Sequence, residues 1–275
     1  MTALEEVPVA TADPDTLAIY QRLMSATGSG SPALIFRHMA ATPGLLNWVW
    51  RTLGDDVEAG WVQDAVWNIV AAMPPVPIDP IGQSVLAETG IDADARSLIR
   101  NMLTSYNRMN PVNLVLIGAI RALISGAALP EPARRDARPS ALPPPRPPDL
   151  PPPPKVASLE PDLQNAIREL CRTLPDIGVE VTPTLYRHFA IWPRFMMAVA
   201  HRLTAQLDAL DRETHAMNTA CVPLISELAQ RARTPLSEPP PITGSTDLVR
   251  NLEGFGYLIP HLVVVGRAVE AALPE

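Results

Sequence analysis

The chain has 275 residues, 47% of them hydrophobic, which is enough to bury a sizeable core in one large domain or two medium ones. Its formal net charge is −7, and a single lysine, Lys155, stands among 22 basic residues. That balance leaves no basic footprint for nucleic acid and no polybasic patch for an anionic membrane.

Residues 1–13 carry Glu5 and Glu6 where a secretory leader needs positive charge, so the protein is expected to be cytoplasmic, with an Arg-over-Lys bias typical of GC-rich bacterial genomes. Asp13-Pro14-Asp15 is a helix start, and Leu17, Tyr20, Leu23 and Met24 follow at helical spacing. Residues 34–41 form a short second helix. Pro43 is expected to open a third, 43–53, with Leu46, Val49, Trp50 and Leu53 on one stripe. Asp55-Asp56 then reads as a cap for the next helix start, and 61–73 as a fourth helix.

The second half repeats this order. Glu160-Pro161-Asp162 opens it, and Arg37, His38, Ala40 and Pro43 recur as Arg187, His188, Ala190 and Pro193, each displaced by 150 positions. Residues 193–203 match 43–53, and 214–233 read as a helix interrupted or kinked at Pro223. Ile99-Arg100-Asn101-Met102 recurs as Val249-Arg250-Asn251-Leu252, followed in each half by an aromatic, by a proline expected to restart a helix (Pro111, Pro260), and by an apolar run holding a glycine (Gly118, Gly266). No window alternates with period two. The fold class is therefore all-α, with two tandem helical repeats, 1–128 and 157–275, forming a pseudo-two-fold pseudodimer.

Between the repeats, residues 129–156 hold twelve prolines. Such a segment favours polyproline II, reaches about 75 Å, and reads as a strap carrying the second repeat around the first. A PxxP recognition site is the other reading. Val112 to Leu129, the longest apolar region, is broken by Asn113, Arg121 and Ser125 and falls short of a membrane span. Cys171 and Cys221 have no metal-ligand or CxxC spacing and read as small core residues.

The residues that can carry chemistry are few. Arg37 and Arg187 can clamp a carboxylate, and His38 or His188 can shuttle a proton; equally, an Arg-His pair before a helix break can satisfy the carbonyls of that helix end. Asn107 and Asn110 occur only in the first copy, although Asn110 before Pro111 also reads as an ordinary N-cap. Trp48, Trp192, Tyr106, Tyr186 and Tyr257 can line an apolar pocket between the repeats. No nucleophile elbow, phosphate loop, dinucleotide fingerprint or metal-ligand spacing is present, so no cofactor and no metal is expected.

Three motifs carry a family resemblance: Phe36-Arg37-His38-x-Ala40-x-x-Pro43, Tyr186-Arg187-His188-x-Ala190-x-Trp192-Pro193, and Tyr106-Asn107-x-x-Asn110-Pro111. With the two-repeat helical layout and the proline-rich linker, the chain resembles the group I 2-haloacid dehalogenases. The resemblance implies an active site between the repeats. There an aspartate activates water that attacks the halogen-bearing carbon directly, and an asparagine holding that water falls on Asn110 or, less well, Asn107. The aspartate's place, just before Tyr186, is held by Thr184 and Leu185, and neither can act as a general base. The nearest acids, Asp176 and Glu180, precede the helix.

The expectation is thus an enzyme on this scaffold, acting on a small apolar or carboxylate-bearing substrate without that aspartate, as a hydrolase or as a cyclase or isomerase. Catalysis is assigned to His188, Asn110 and Tyr186. Substrate binding is assigned to Arg187, His38, Arg37, Trp48, Tyr106, Asn107, Trp192 and Tyr257. A dehalogenase with a relocated base and a non-catalytic binding or scaffolding protein are the alternatives, and a homodimer is possible.

Overall fold

The computed structural model describes residues 4–126, 150–172, 182–233, 239–242 and 246–274, and among these there are helices and no strands. The helices are α1 (Pro14–Thr27), α2 (Leu34–Ala41), α3 (Leu45–Glu58), α4 (Trp61–Ala72), α5 (Gln83–Glu88), α6 (Ala93–Ser125), α7 (Pro161–Leu170), α8 (Thr184–Phe189), α9 (Pro193–Thr204), α10 (Leu207–Arg233) and α11 (Thr246–Ala272).

Local chemistry sets the helix ends. Asp13 caps α1 by accepting from the Asp15 and Thr16 amides, Pro14 supplies a pre-set φ at the first position, and Gly28 closes the helix at φ 64°. Asp92 caps α6 by accepting from Ala95 N at 2.8 Å. The third helix begins at Leu45 instead of Pro43, because Gly44 takes a left-handed φ of 76° that a continuing helix does not allow. Asp55 and Asp56 cap nothing, since they lie in the last turn of α3. There Asp56 accepts from the Trp61 indole at 2.8 Å and pairs with Arg231 at 2.8 Å, tying α3 to α4 and α10.

Proline is where the sequence expectation departs most from the fold. Pro111, Pro223 and Pro260 sit inside α6, α10 and α11, which run through them without ending. A proline removes one backbone donor and crowds the preceding turn, at about 3 kcal/mol in an isolated helix. Here burial on every side outweighs that cost. From Met109 to Ile117 every residue of α6 is buried, and so is every residue of α11 from Leu258 to Gly266.

These two helices pack most extensively against each other and against α10, so α6, α10 and α11 form the centre of the molecule. One hydrophobic core takes side chains from both halves of the chain. α11 is long and apolar enough to pass for a membrane span, with a mean hydropathy of 1.2, but 67% of that stretch is buried among the other helices. Close approach at the centre depends on glycine. A Cβ at Gly118 would lie 2.5 Å from Ile225 of α10, and one at Gly266 would collide with the Asn107 side chain. Asn107 uses the room at Gly266 to donate to Glu270 Oε2 at 2.8 Å. Cys221 is fully buried, with its thiol pushed up to about 12 by desolvation, and Cys171 is half-buried against the same core.

Candidate functional site

A cavity of about 690 Å3 opens between α2, α6, α8 and α11, with the extended residues 150–155 and the N-terminal segment around Glu6 forming part of its wall. Arg37, Tyr106, Asn110, Arg187 and His188 all line it, and so does Thr184, on the first turn of α8. Leu185, the other residue at the place where the family resemblance puts an aspartate, is fully buried in the core. Asp176 and Glu180 lie outside the described residues.

The remaining candidates sit elsewhere. Tyr257 is 52% exposed, and Trp48 is buried in the core. Trp192 packs against the core at the start of α9. Asn107 joins α6 to α11 as described. Tyr186 is buried with its hydroxyl 2.8 Å from His261 Nε2, a core pair in which desolvation raises the phenol pKa and pulls the imidazole down to about 4. None of these five lines the cavity, and neither does His38, which is buried against the N-terminal segment and α11.

The two Arg-His pairs do equivalent work, and it is not the capping of helix ends. In the first, Arg37 is in ion contact with Glu6 at 2.9 Å, its carbonyl accepts from Val7 N, and His38 Nδ1 lies 2.6 Å from the Glu5 carbonyl. In the second, Arg187 Nε donates to the Pro154 carbonyl at 3.0 Å, and His188 Nε2 lies 3.0 Å from the Pro151 carbonyl. Each pair thus holds the extended segment that leads into its own half. The other nitrogen of each ring reaches a long helix of the other half. His38 Nε2 is 3.1 Å from Asn251 Nδ2 on α11, and His188 Nδ1 is 2.7 Å from the Tyr106 hydroxyl on α6.

These partners fix the tautomers. A backbone carbonyl only accepts, so His188 carries its proton on Nε2, and its Nδ1 accepts from the Tyr106 hydroxyl. By the same logic His38 is protonated on Nδ1 and accepts the Asn251 amide on Nε2. Burial lowers the His188 pKa, which the bond to Pro151 partly opposes and the Arg187 charge reinforces, so the ring is neutral at pH 7. Desolvation raises the Tyr106 phenol, while the charges of Arg187 and Arg37 act against that rise.

The long-helix walls of the cavity are chemically unequal. With Pro111 aligned on Pro260, Tyr106, Met109, Asn110 and Asn113 of α6 correspond to Phe255, Leu258, Ile259 and Leu262 of α11, and all eight line the cavity. One wall offers hydrogen-bond groups and the other is wholly apolar. Asn110 is no N-cap, because it lies mid-helix, 4% exposed, and its Nδ2 is buried without a hydrogen-bond partner among the described residues. Asn113, 1% exposed, has an Nδ2 in the same condition. Of the charged lining residues among those described, Arg37, Lys155 and Arg187 are cationic and Glu6 is anionic, a balance that favours an anionic guest.

Sequence reading missed Asn113, Lys155 and Glu6 as members of this site. Asn113 did carry a signal. It is a polar residue one turn beyond Asn110 in an apolar run, and its counterpart in the second copy is Leu262.

No family model matches the chain, and no curated protein matches it. Solved structures do. A mutant D-2-haloacid dehalogenase in complex with D-2-CPA superposes with a TM-score of 0.74 at 17% identity, covering 98% of this chain and 95% of that one. A D-2-haloacid dehalogenase complex with L-LA gives 0.71 at 19%, and a further mutant gives 0.72 at 18%, each covering 98% of this chain and 96% of the other. The chain therefore shares the all-helical fold of the 2-haloacid dehalogenases over nearly its whole length.

Proposed function

We propose that the chain is an enzyme that takes a small carboxylate-bearing, largely apolar molecule into the cavity. Proton transfer there runs through Tyr106 and His188, in place of a carboxylate-activated water. The carrying observation is the 2.7 Å contact between the Tyr106 hydroxyl and His188 Nδ1 at the cavity wall.

The phenol oxygen accepts a proton from the substrate carbon next to its carboxyl group while the phenol proton passes to His188 Nδ1. The imidazolium that forms keeps its Nε2–H on the Pro151 carbonyl, a charge-assisted bond that holds the ring in place. Unpartnered amide donors on α6 stabilise the negative charge that develops on the substrate's oxygens. Return of the proton to another carbon gives an isomerase; in a cyclase the carbanion instead closes on an electrophilic carbon of the same substrate, and the proton goes to the atom that receives the displaced electron pair. Hydrolysis is the variant in which Asn110 holds a water. Thr184 on the cavity wall supports a departure from the aspartate mechanism, because a hydroxyl is no general base at neutral pH.

The experiment incubates the purified chain in D2O with a panel of small carboxylic acids, following exchange at the α-carbon by NMR, and separately assays chloride release from both enantiomers of 2-chloropropionate. Exchange that disappears in Tyr106→Phe, with no chloride released, is the expected result. Chloride release that survives Tyr106→Phe overturns the proposal in favour of a dehalogenase with its base elsewhere.

A second reading, a non-catalytic binding protein, draws on the way the polar side chains are already held. Glu6 is ion-paired, and Arg187 and His188 are engaged by the carbonyls of residues 151–154. Tight binding of an acid with neither exchange nor conversion is its signature.

A further inference from the structure

Asn110 and Asn113 stand one helical turn apart on α6, so their side chains share a face. Both line the cavity, and both have a buried Nδ2 without a hydrogen-bond partner among the described residues. A buried amide donor left unpaired carries a desolvation penalty that an aliphatic side chain avoids, and Ile259 and Leu262 at the corresponding steps of α11 show that this scaffold accepts aliphatic side chains there. Two such donors side by side match two acceptor atoms on one guest.

The guest's remaining surface is defined by the opposite wall. Phe255, Leu258, Ile259 and Leu262 present only apolar atoms, and the cavity's volume of about 690 Å3 lies in the range that encloses a drug-sized molecule. A three-carbon acid leaves most of that wall uncovered.

We propose that the natural ligand is a medium-sized monocarboxylic acid whose carboxylate oxygens are taken by Asn110 and Asn113 and whose aliphatic or aromatic body lies along α11, with Asn113 setting the preference for the acid. This rests on the reading of the cavity as a small-molecule site. It goes beyond that reading in naming the ligand's size and polarity and in assigning Asn113.

The test is calorimetric titration of the full chain with propionate, butyrate, hexanoate, octanoate, 4-phenylbutyrate and the uncharged 1-octanol. Affinity is expected to rise along the straight-chain acids, approaching about fourfold per added methylene. Octanoate is expected to bind at least about tenfold tighter than 1-octanol, the worth of hydrogen bonds to a charged group. Asn113→Leu narrows that difference severalfold by weakening octanoate while leaving 1-octanol unchanged. Asn113→Asp, which keeps the volume and turns the donor into an anion, weakens octanoate further.

Equal binding of propionate and octanoate overturns the proposal, and so does an Asn113→Leu variant that binds octanoate like the parent. The chain-length series uses the unmodified protein and decides the matter even if a variant fails to fold. Tight octanoate binding with no proton exchange in any acid removes the Tyr106 and His188 chemistry and leaves this assignment standing. Exchange in short acids without chain-length dependence does the reverse.

Discussion

Tyr106 and His188, 82 positions apart in sequence, meet at 2.7 Å on the wall of the cavity and join α6 of the first half to α8 of the second. The pair is directional, because the Pro151 carbonyl commits His188 to donate from Nε2 and so to accept on Nδ1. Tyr106→Phe strands a buried imidazole acceptor and is expected to cost about 1–3 kcal/mol in urea unfolding. The double change with His188→Phe removes both partners and costs less than the sum of the single changes. Additive losses in that cycle would show that the two side chains are not coupled.

Acid sensitivity is expected from the core. His261 is buried beside Tyr186, and desolvation pulls its pKa down to about 4, with Asp211 acting weakly the other way. A folded-state pKa below the unfolded value near 6.5 means that the unfolded chain takes up the proton first. Stability is therefore full above pH 6.5 and declines as pH falls toward 4, by roughly 3 kcal/mol from this group. His261→Gln keeps an acceptor for the Tyr186 hydroxyl and cannot titrate. Its stability curve is expected to be flatter than the parent's over that window, and superimposable curves would refute the assignment.

Asn110 separates stability from binding. Asn110→Leu removes an amide donor that has no hydrogen-bond partner, at a depth where Ile259 already packs in the other copy. Stability is expected to hold or to rise by about 1 kcal/mol, while affinity for a carboxylate falls about tenfold. A large drop in melting temperature would mean that the amide is structural.

Thr184 marks the position at which carboxylate chemistry is expected to be recoverable. It lines the cavity, whereas Leu185 is buried in the core, so Thr184→Asp puts a carboxylate against the guest. Halide assays with 2-chloropropionate are expected to detect chloride from this variant and none from the parent. A folded variant that binds the acid but releases nothing would cut the link drawn between position 184 and the aspartate of the dehalogenases.

The helical units were legible because their signals are local. Asp13-Pro14 capped α1 as read, and residues 34–41 formed α2. Pro111 and Pro260 were misread as helix starts because a proline's cost is also local, whereas the burial that outweighs it comes from neighbouring helices far away in sequence. Trp48 and Tyr257 were placed in the pocket on residue type, but type does not fix which face of a helix meets a cavity. The packing put one in the core and the other in solvent.

By itself, then, the sequence determined an all-helical chain with a duplicated Arg-His signature and no carboxylate where a dehalogenase would carry one. Caps, periodicity and residue identity are properties of short stretches and survive without tertiary context. Only the packed structure decided what the signature does. It showed that each histidine spends one nitrogen on an extended segment and the other on a long helix of the opposite half, and that Asn110 and Asn113 face an apolar wall with donors unpaired. Those facts depend on which atoms, distant along the chain, are brought within hydrogen-bond reach, and no local pattern encodes that.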